Sequence, residues 1–203
     1  MGKRRLEDAL NKIDHPVNVV YRCFELDPSA ERNVEYNMYE KLASKYRMSI
    51  NQAKDTCRNM EQMAAQAGLD FQLDTLVLTN TFDAHRLALF AKTKGLSHEM
   101  TDRLLKAYYT DSKNIGDHKA LVELAEEVGL NGKEVAELLA SNKISDDVRG
   151  DEREAQELGI QSIPFFLINK KHAITGAQST EVFVETLNNI IKEDGAFSEE
   201  NDL

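Results

Sequence analysis

The sequence is short of the residues that carry covalent and metal chemistry. Cysteine occurs only at Cys23 and Cys57, 34 positions apart. That spacing makes neither a Cys-x-x-Cys redox pair nor a zinc knuckle. The five histidines, His15, His85, His98, His118 and His172, include no His-x-x-x-His pair, so no metal and no cofactor is expected. No apolar run approaches the roughly eighteen residues of a membrane span, and the opening "MGKRRLEDALNKI" lacks the apolar centre of a signal peptide. Leu6 stands where an N-myristoylation motif needs Ser or Thr. Basic residues are outnumbered, 25 against 35 acidic, leaving a net charge of −10 and a pI near 5.0. Such a chain repels phosphate backbones and anionic headgroups, so neither nucleic acid nor membrane is an expected partner. A soluble, cytoplasmic protein is expected.

What the chain does have is enough apolar material, 41% of 203 residues, for one folded body with elaborations. A helix is predicted from Gly2 to Asp14, facing inward with Leu6, Ala9, Leu10 and Ile13. His15-Pro16 ends it, because the residue before a proline avoids helical backbone. "VNVVYRCFEL", Val17 to Leu26, is an almost unbroken apolar, β-branched and aromatic run and predicts a strand buried on both faces. Cys23 lies in that run. Cys57 lies on the helical stripe Ala53, Cys57, Met60, Ala64, Ala67. Buried thiols react poorly, so both cysteines are expected to be structural.

The middle of the chain is helical, with segments predicted over about 33 to 46, 49 to 67, 81 to 94, 97 to 111, 117 to 128, 131 to 141 and 145 to 158. Ser49 and Gln52 have capping-box spacing, as do Asn131 and Glu134, and Asp117 can cap the stripe Leu121, Leu124, Ala125, Val128. Beyond Ser162 the pattern becomes a strand at Phe165 to Asn169, a tight turn at Asn169-Lys170-Lys171, a strand at Ala173 to Thr175, and a last helix faced by Phe183, Val184, Leu187, Ile190 and Ile191. The tail from Asp194 is acidic and expected to be loose. This order predicts an α/β, thioredoxin-like fold with a large all-helical insertion, its first strand missing from the chain. Residues 1–30 and 160–193 form the thioredoxin-like part, 31–159 the insertion and 194–203 the tail.

Five fragments carry a resemblance to a known family: "GKRRLE" at 2–7, "FELDP" at 24–28, "NTFDAHRLALFA" at 80–91, "AYYTDSKNIGDHKALVELAEEVGL" at 107–130 and "IPFFLINKKHAITGAQSTEVF" at 163–183. In this order they resemble the DsbA-like oxidoreductases of the FrnE type. The resemblance implies a thiol–disulfide oxidoreductase or isomerase acting on protein or peptide thiols and disulfides. In that family a Cys-x-x-Cys pair sits at the N-terminus of the first helix, where exposed amides and the helix dipole stabilise a thiolate. No such pair precedes Gly2 here, so no catalytic residue is assigned. A product N-terminally truncated ahead of Met1 is the preferred expectation. Taken alone, Pro164 is an ordinary proline opening a strand. The resemblance implies instead that Ile163-Pro164 is cis, that the ring borders the dithiol, and that the Ile163 backbone binds an extended substrate.

Other candidates are weaker. Asn80, His85 and Arg86 could line a groove, although Asn80 and Asp83 also read as helix caps. Asp117-His118 could begin a charge relay, but no activated Ser or Cys stands near. Lys3, Arg4 and Arg5 read as a solvated helix face. Two alternatives to the redox reading stay open: a non-catalytic peptide-binding or assembly module using the groove beside Pro164, and a relative of the kappa-type glutathione transferases and chromene-carboxylate isomerases. Removing a central strand exposes ladder groups on its neighbours. The gap is expected to be closed by direct pairing of the flanking strands, by a second chain in a possible homodimer, or by upstream residues.

Overall fold

The computed structural model describes the backbone of residues 1–200 and the side chains of residues 1–193. In chain order the elements are α1 (Gly2–Leu10), α2 (Met38–Tyr46), α3 (Ile50–Gln66), α4 (Phe82–Thr93), α5 (Ser97–Tyr109), α6 (His118–Glu127), α7 (Gly132–Leu139), α8 (Ser145–Glu157), β1 (Phe165–Ile168), β2 (His172–Thr175) and α9 (Thr180–Glu200). They belong to two units, Met1–Val20 with Ile160–Leu203, and Tyr21–Gly159. The first boundary therefore falls at Val20 rather than after residue 30. Residues 21–27 side with the helices because Arg22, Cys23 and Glu25 bond to Asp151 and Arg149 of α8.

In the first unit the hairpin register pairs Phe165 with Thr175, Phe166 with Ile174, Leu167 with Ala173 and Ile168 with His172. Asn169 and Lys170 both take positive φ, 50° and 57°, and the Lys171 amide donates to the Ile168 carbonyl at 3.0 Å. Left-handed backbone at both central residues matches the right-handed twist of the strands. Alternation then turns Phe166 and Ile168 inward while Leu167 stays exposed. Phe166 meets Phe183 of α9 edge to face, ring centroids 4.8 Å apart. Ala9, Ile174 and Phe183 form the buried centre, covered by Leu6, Ile168 and Val184. Helix α1 stops at Leu10, short of the expected Asp14. The amides of Lys12 and Ile13 reach back three residues, to Ala9 and Leu10, and close a tighter last turn. Helix α9 continues to Glu200, where a loose tail was expected from Asp194; the tail's last residues, 201–203, lie outside the described residues.

The strand expected at Val17 to Leu26 is absent: among the described residues the sheet is β1 and β2 alone. Val17, Val20 and Leu26 are 42%, 51% and 61% exposed instead of buried on both faces. Apolar β-branched sequence favours extended backbone, but a strand exists only where a neighbour supplies the ladder. The two flanking segments do not pair with each other, and the outer edge of β1 carries no strand among the described residues.

The second unit is built from local signals. Asn37 with Glu40 and Ser49 with Gln52 close reciprocal capping boxes, which start α2 at Met38 rather than 33 and α3 at Ile50. Asp117 accepts from the Lys119 amide, and Asn131 from the Glu134 amide. After α6, Gly129 turns at φ +90°, a backbone most side chains resist. One apolar cluster gathers Leu87, Met100, Leu121, Leu124 and Val135; another gathers Cys57, Leu73, Leu76 and Leu78. No helix among the described residues is long and apolar enough to cross a membrane.

Candidate functional site

Each unit places one group of predicted residues. In the first, the opening turn of α1 meets the start of the hairpin. Gly2 is buried, and a Cβ there would sit 2.7 Å from Pro164 Cγ and 3.3 Å from Phe166 Cζ. The helix end can close on the proline ring only because residue 2 has no side chain. The Ile163–Pro164 bond is cis, and the Pro164 carbonyl accepts from the Gly176 amide at 2.8 Å. Arg5 donates to the carbonyls of Ala177 and Gln178, tying α1 to the loop before α9.

The neighbouring Ile163 is 45% exposed, and its backbone groups are unused by any residue among those described. The first turn of α1 carries Lys3, Arg4 and Arg5 and no acid. Acids are the residues a helix N-terminus ordinarily favours, so three cations there add to the positive end of the dipole. Lys3 is paired with Glu7. Chemically, this end offers a positive potential, a flat ring and open peptide groups to an extended chain.

In the second unit, Asn80, His85 and Arg86 do not share a site. Arg86 is 3% exposed and fully engaged: it donates to Asp83 Oδ1 at 2.8 Å and to the carbonyls of Leu138, Ser141 and Lys143. These carbonyls lie at the end of α7 and just beyond it, where the helix ladder runs out. Asp83 also bonds His118 Nε2 at 2.7 Å and pairs with Arg32. Burial opposes its charge, but the bonds from His118 and Arg86 prevail and hold the carboxyl below the usual aspartate range. His118 therefore anchors a structural carboxylate; the relay partner lies at Asp83, not at Asp117, which caps α6.

Asn80 and His85 turn toward groups that the sequence pattern did not single out. Asn80 Oδ1 accepts from the Phe82 amide at 2.9 Å, a local turn ahead of the α4 N-cap, which is Thr81 and not the expected Asn80, while its Nδ2 reaches Glu25 Oε1 at 3.4 Å. Burial pushes the His85 imidazole below its ordinary range, against the attraction of Glu152 and Asp151. Arg149 links Glu25 to Glu152 and lies 4.2 Å over the Phe82 ring. The one signal for this cluster was a charged residue, Glu25, inside a run that otherwise reads as buried. Its partners on α8 lie too far along the chain to be inferred.

Both thiols are buried and free, Cys23 4% and Cys57 1% exposed. Burial, with Asp151 beside Cys23 and Glu61 beside Cys57, raises each above the ordinary thiol range. Neither is an activated nucleophile.

The profile of the DSBA-like thioredoxin domain matches residues 1–188. The chain is similar to the crystal structure of a probable DsbA oxidoreductase from Streptomyces coelicolor, with a TM-score of 0.90 and 37% identity, covering 95% of this chain and 84% of that one. It is 28% identical over 189 residues to the uncharacterized protein YwbO of Bacillus subtilis, covering 92% of this chain and 88% of YwbO. A likeness of fold, at 19% identity and a TM-score of 0.51, extends to the cytosolic disulfide reductase DsbM of Pseudomonas aeruginosa with GSH, over 64% of this chain and 72% of that one. The fold is thus the thioredoxin-like DsbA type, helix-rich with a small sheet.

Proposed function

The chain belongs to the DSBA-like thioredoxin-domain family of thiol–disulfide oxidoreductases, and on that premise we propose that it is the FrnE-type body of such an enzyme, with Ile163 and Pro164 as its substrate-binding element and a redox dithiol contributed by polypeptide ahead of residue 1. The observation that carries this reading is the close packing of Gly2 on Pro164. It sets the positive end of α1 beside a proline ring and an open peptide group, the surroundings in which a thiolate is stabilised and an extended disulfide substrate is held. The outer edge of β1, without a strand among the described residues, supports it, as do the exposed Val17 and Val20. Residues 160–193 with the first segment are its thioredoxin-like part and the helical block its insertion.

In the exchange itself, an attacking thiolate forms one S–S bond as the substrate's S–S bond breaks and releases a thiolate. This chain's share is electrostatic and geometric. Lys3, Arg4 and Arg5 with the α1 amides favour the anionic sulfur, and Ile163 orients the peptide. A second reading, a peptide-binding module without redox chemistry, draws on the same open Ile163 backbone.

The test is to translate the gene with the codons preceding Met1 and measure reduction of insulin disulfides. The reading requires an in-frame strand and Cys-x-x-Cys upstream, activity in that product, and its loss when Pro164→Ala is introduced. A stop codon immediately upstream, or an extended product that binds unfolded peptide without reducing insulin, overturns it in favour of the binding module.

A further inference from the structure

In "YRCFELD", Glu25 is a charged residue inside an apolar run, and its side chain is 0% exposed. A buried carboxylate needs donors or a proton. The donors here are few. Arg149 Nη1 lies 2.6 Å from Glu25 Oε2 and also 2.6 Å from Glu152 Oε2. One nitrogen therefore holds two carboxylates within twice that distance of each other. Among the described residues Glu25 Oε1 has as donor only the long 3.4 Å contact from Asn80. Glu152 Oε1 is buried and has no donor among the described residues. An orphaned buried acceptor and two adjacent carboxylates are each unfavourable. One proton on the pair removes both problems, because a carboxyl O–H can donate to its neighbour.

The remaining charges around the pair do not supply a substitute. From α4 comes His85, which burial keeps toward its neutral form. From α8 comes Asp151, already occupied by Arg22 at 2.7 Å and by the Cys23 amide at 2.8 Å. Lys92 acts on the Cys23 thiol.

We infer that Glu25, set against Glu152 and clamped with it by Arg149, is a pH-sensitive latch fastening residues 21–27 to α8. With Glu25 ionised, a buried anion and the part-buried Glu152 meet on one guanidinium, and the segment loosens and uncovers Cys23. Burial first, and Glu152 beside it, lift Glu25 above the ordinary glutamate range, although Arg149 pulls the other way. A carboxyl raised in the folded state stabilises fully below its unfolded pKa, and that contribution is lost as pH rises through the folded value. The latch is thus closed on the acid side and released on the alkaline side. Nothing in it depends on the redox chemistry proposed above.

The test titrates the full chain, labelled with 13C at glutamate carboxyls, by NMR. One carboxyl titrating above the ordinary glutamate range, and missing from Glu25→Gln, is the expected result. Between the ordinary range and that midpoint, the unfolding constant in urea rises up to about tenfold per pH unit in the wild type and stays flat in the variant. Exchange of the Cys23 amide, corrected for its intrinsic rate, accelerates through the same midpoint. Should Glu25→Gln fail to fold, Glu152→Gln is read in the same way. If every glutamate completes its titration in the ordinary range, or if Cys23 exchange ignores the midpoint, the latch is overturned.

Discussion

The two units treat charge in opposite ways. Every buried acidic or basic residue among those described, Glu25, Asp83, Arg86 and Asp151, lies in Tyr21–Gly159. The unit of Met1–Val20 and Ile160–Leu203 buries Ala9, Ile174 and Phe183 at its centre and leaves its cations, Lys3, Arg4 and Arg5, on the first turn of one helix. The helical unit thus uses ion pairs to hold its own segments in register. In the hairpin unit Lys3 pairs with Glu7 one turn along α1, and Arg5 donates to the carbonyls of Ala177 and Gln178. Buried pairs are costly to break, whereas surface charge is cheap to alter, so the two units should respond differently to mutation.

That contrast can be broken most severely at Arg86. Arg86→Met removes one buried partner of Asp83 and the guanidinium donated to the carbonyls of Leu138, Ser141 and Lys143, and should cost about 3–5 kcal/mol in urea unfolding. Phe183→Ala attacks the hairpin unit by a different route, a cavity beneath Phe166, at a similar or smaller cost of about 3–5 kcal/mol. A loss seen in both units with either variant would show that they unfold together. Gly2→Ala should cost about 1–3 kcal/mol by overpacking. Combined with Pro164→Ala, the loss should be less than additive, since the clash is then relieved.

Acid sharpens the comparison. Asp83 is held below its ordinary range, so its contribution is present above the unfolded value and lost as pH falls through the folded one. Denaturant curves of Asp83→Asn should be flatter in that window, the opposite sense to Glu25. The smallest effect is expected at Ser49→Ala, about 1 kcal/mol, from loss of the capping box that starts α3.

Local chemistry was legible in the sequence. The capping pairs at Ser49 and Gln52, the turn at Asn169, and the apolar faces of α6 and α9 depend on residues a few positions apart, and the structure has them where the pattern predicts. Val17 to Leu26 was misread for the converse reason. Its composition favours extended backbone, but strand formation depends on a neighbour that composition does not specify. Pro164 was marked by its surroundings, whereas Gly2 was unremarkable until the proline ring was found above it. The Glu25, Arg149 and Glu152 cluster joins positions more than a hundred residues apart. A lone glutamate in an apolar run hinted that something must satisfy it, without naming what.

Among the described residues the outer side of β1 pairs with no strand. A short "FFLI" stretch with an open edge is the kind of template on which chains stack into fibrils. Here Pro164 precedes it and Lys170 and Lys171 follow the turn. These act as gatekeepers, holding any foreign ladder to four residues before it meets a missing N–H at one end and like charge at the other.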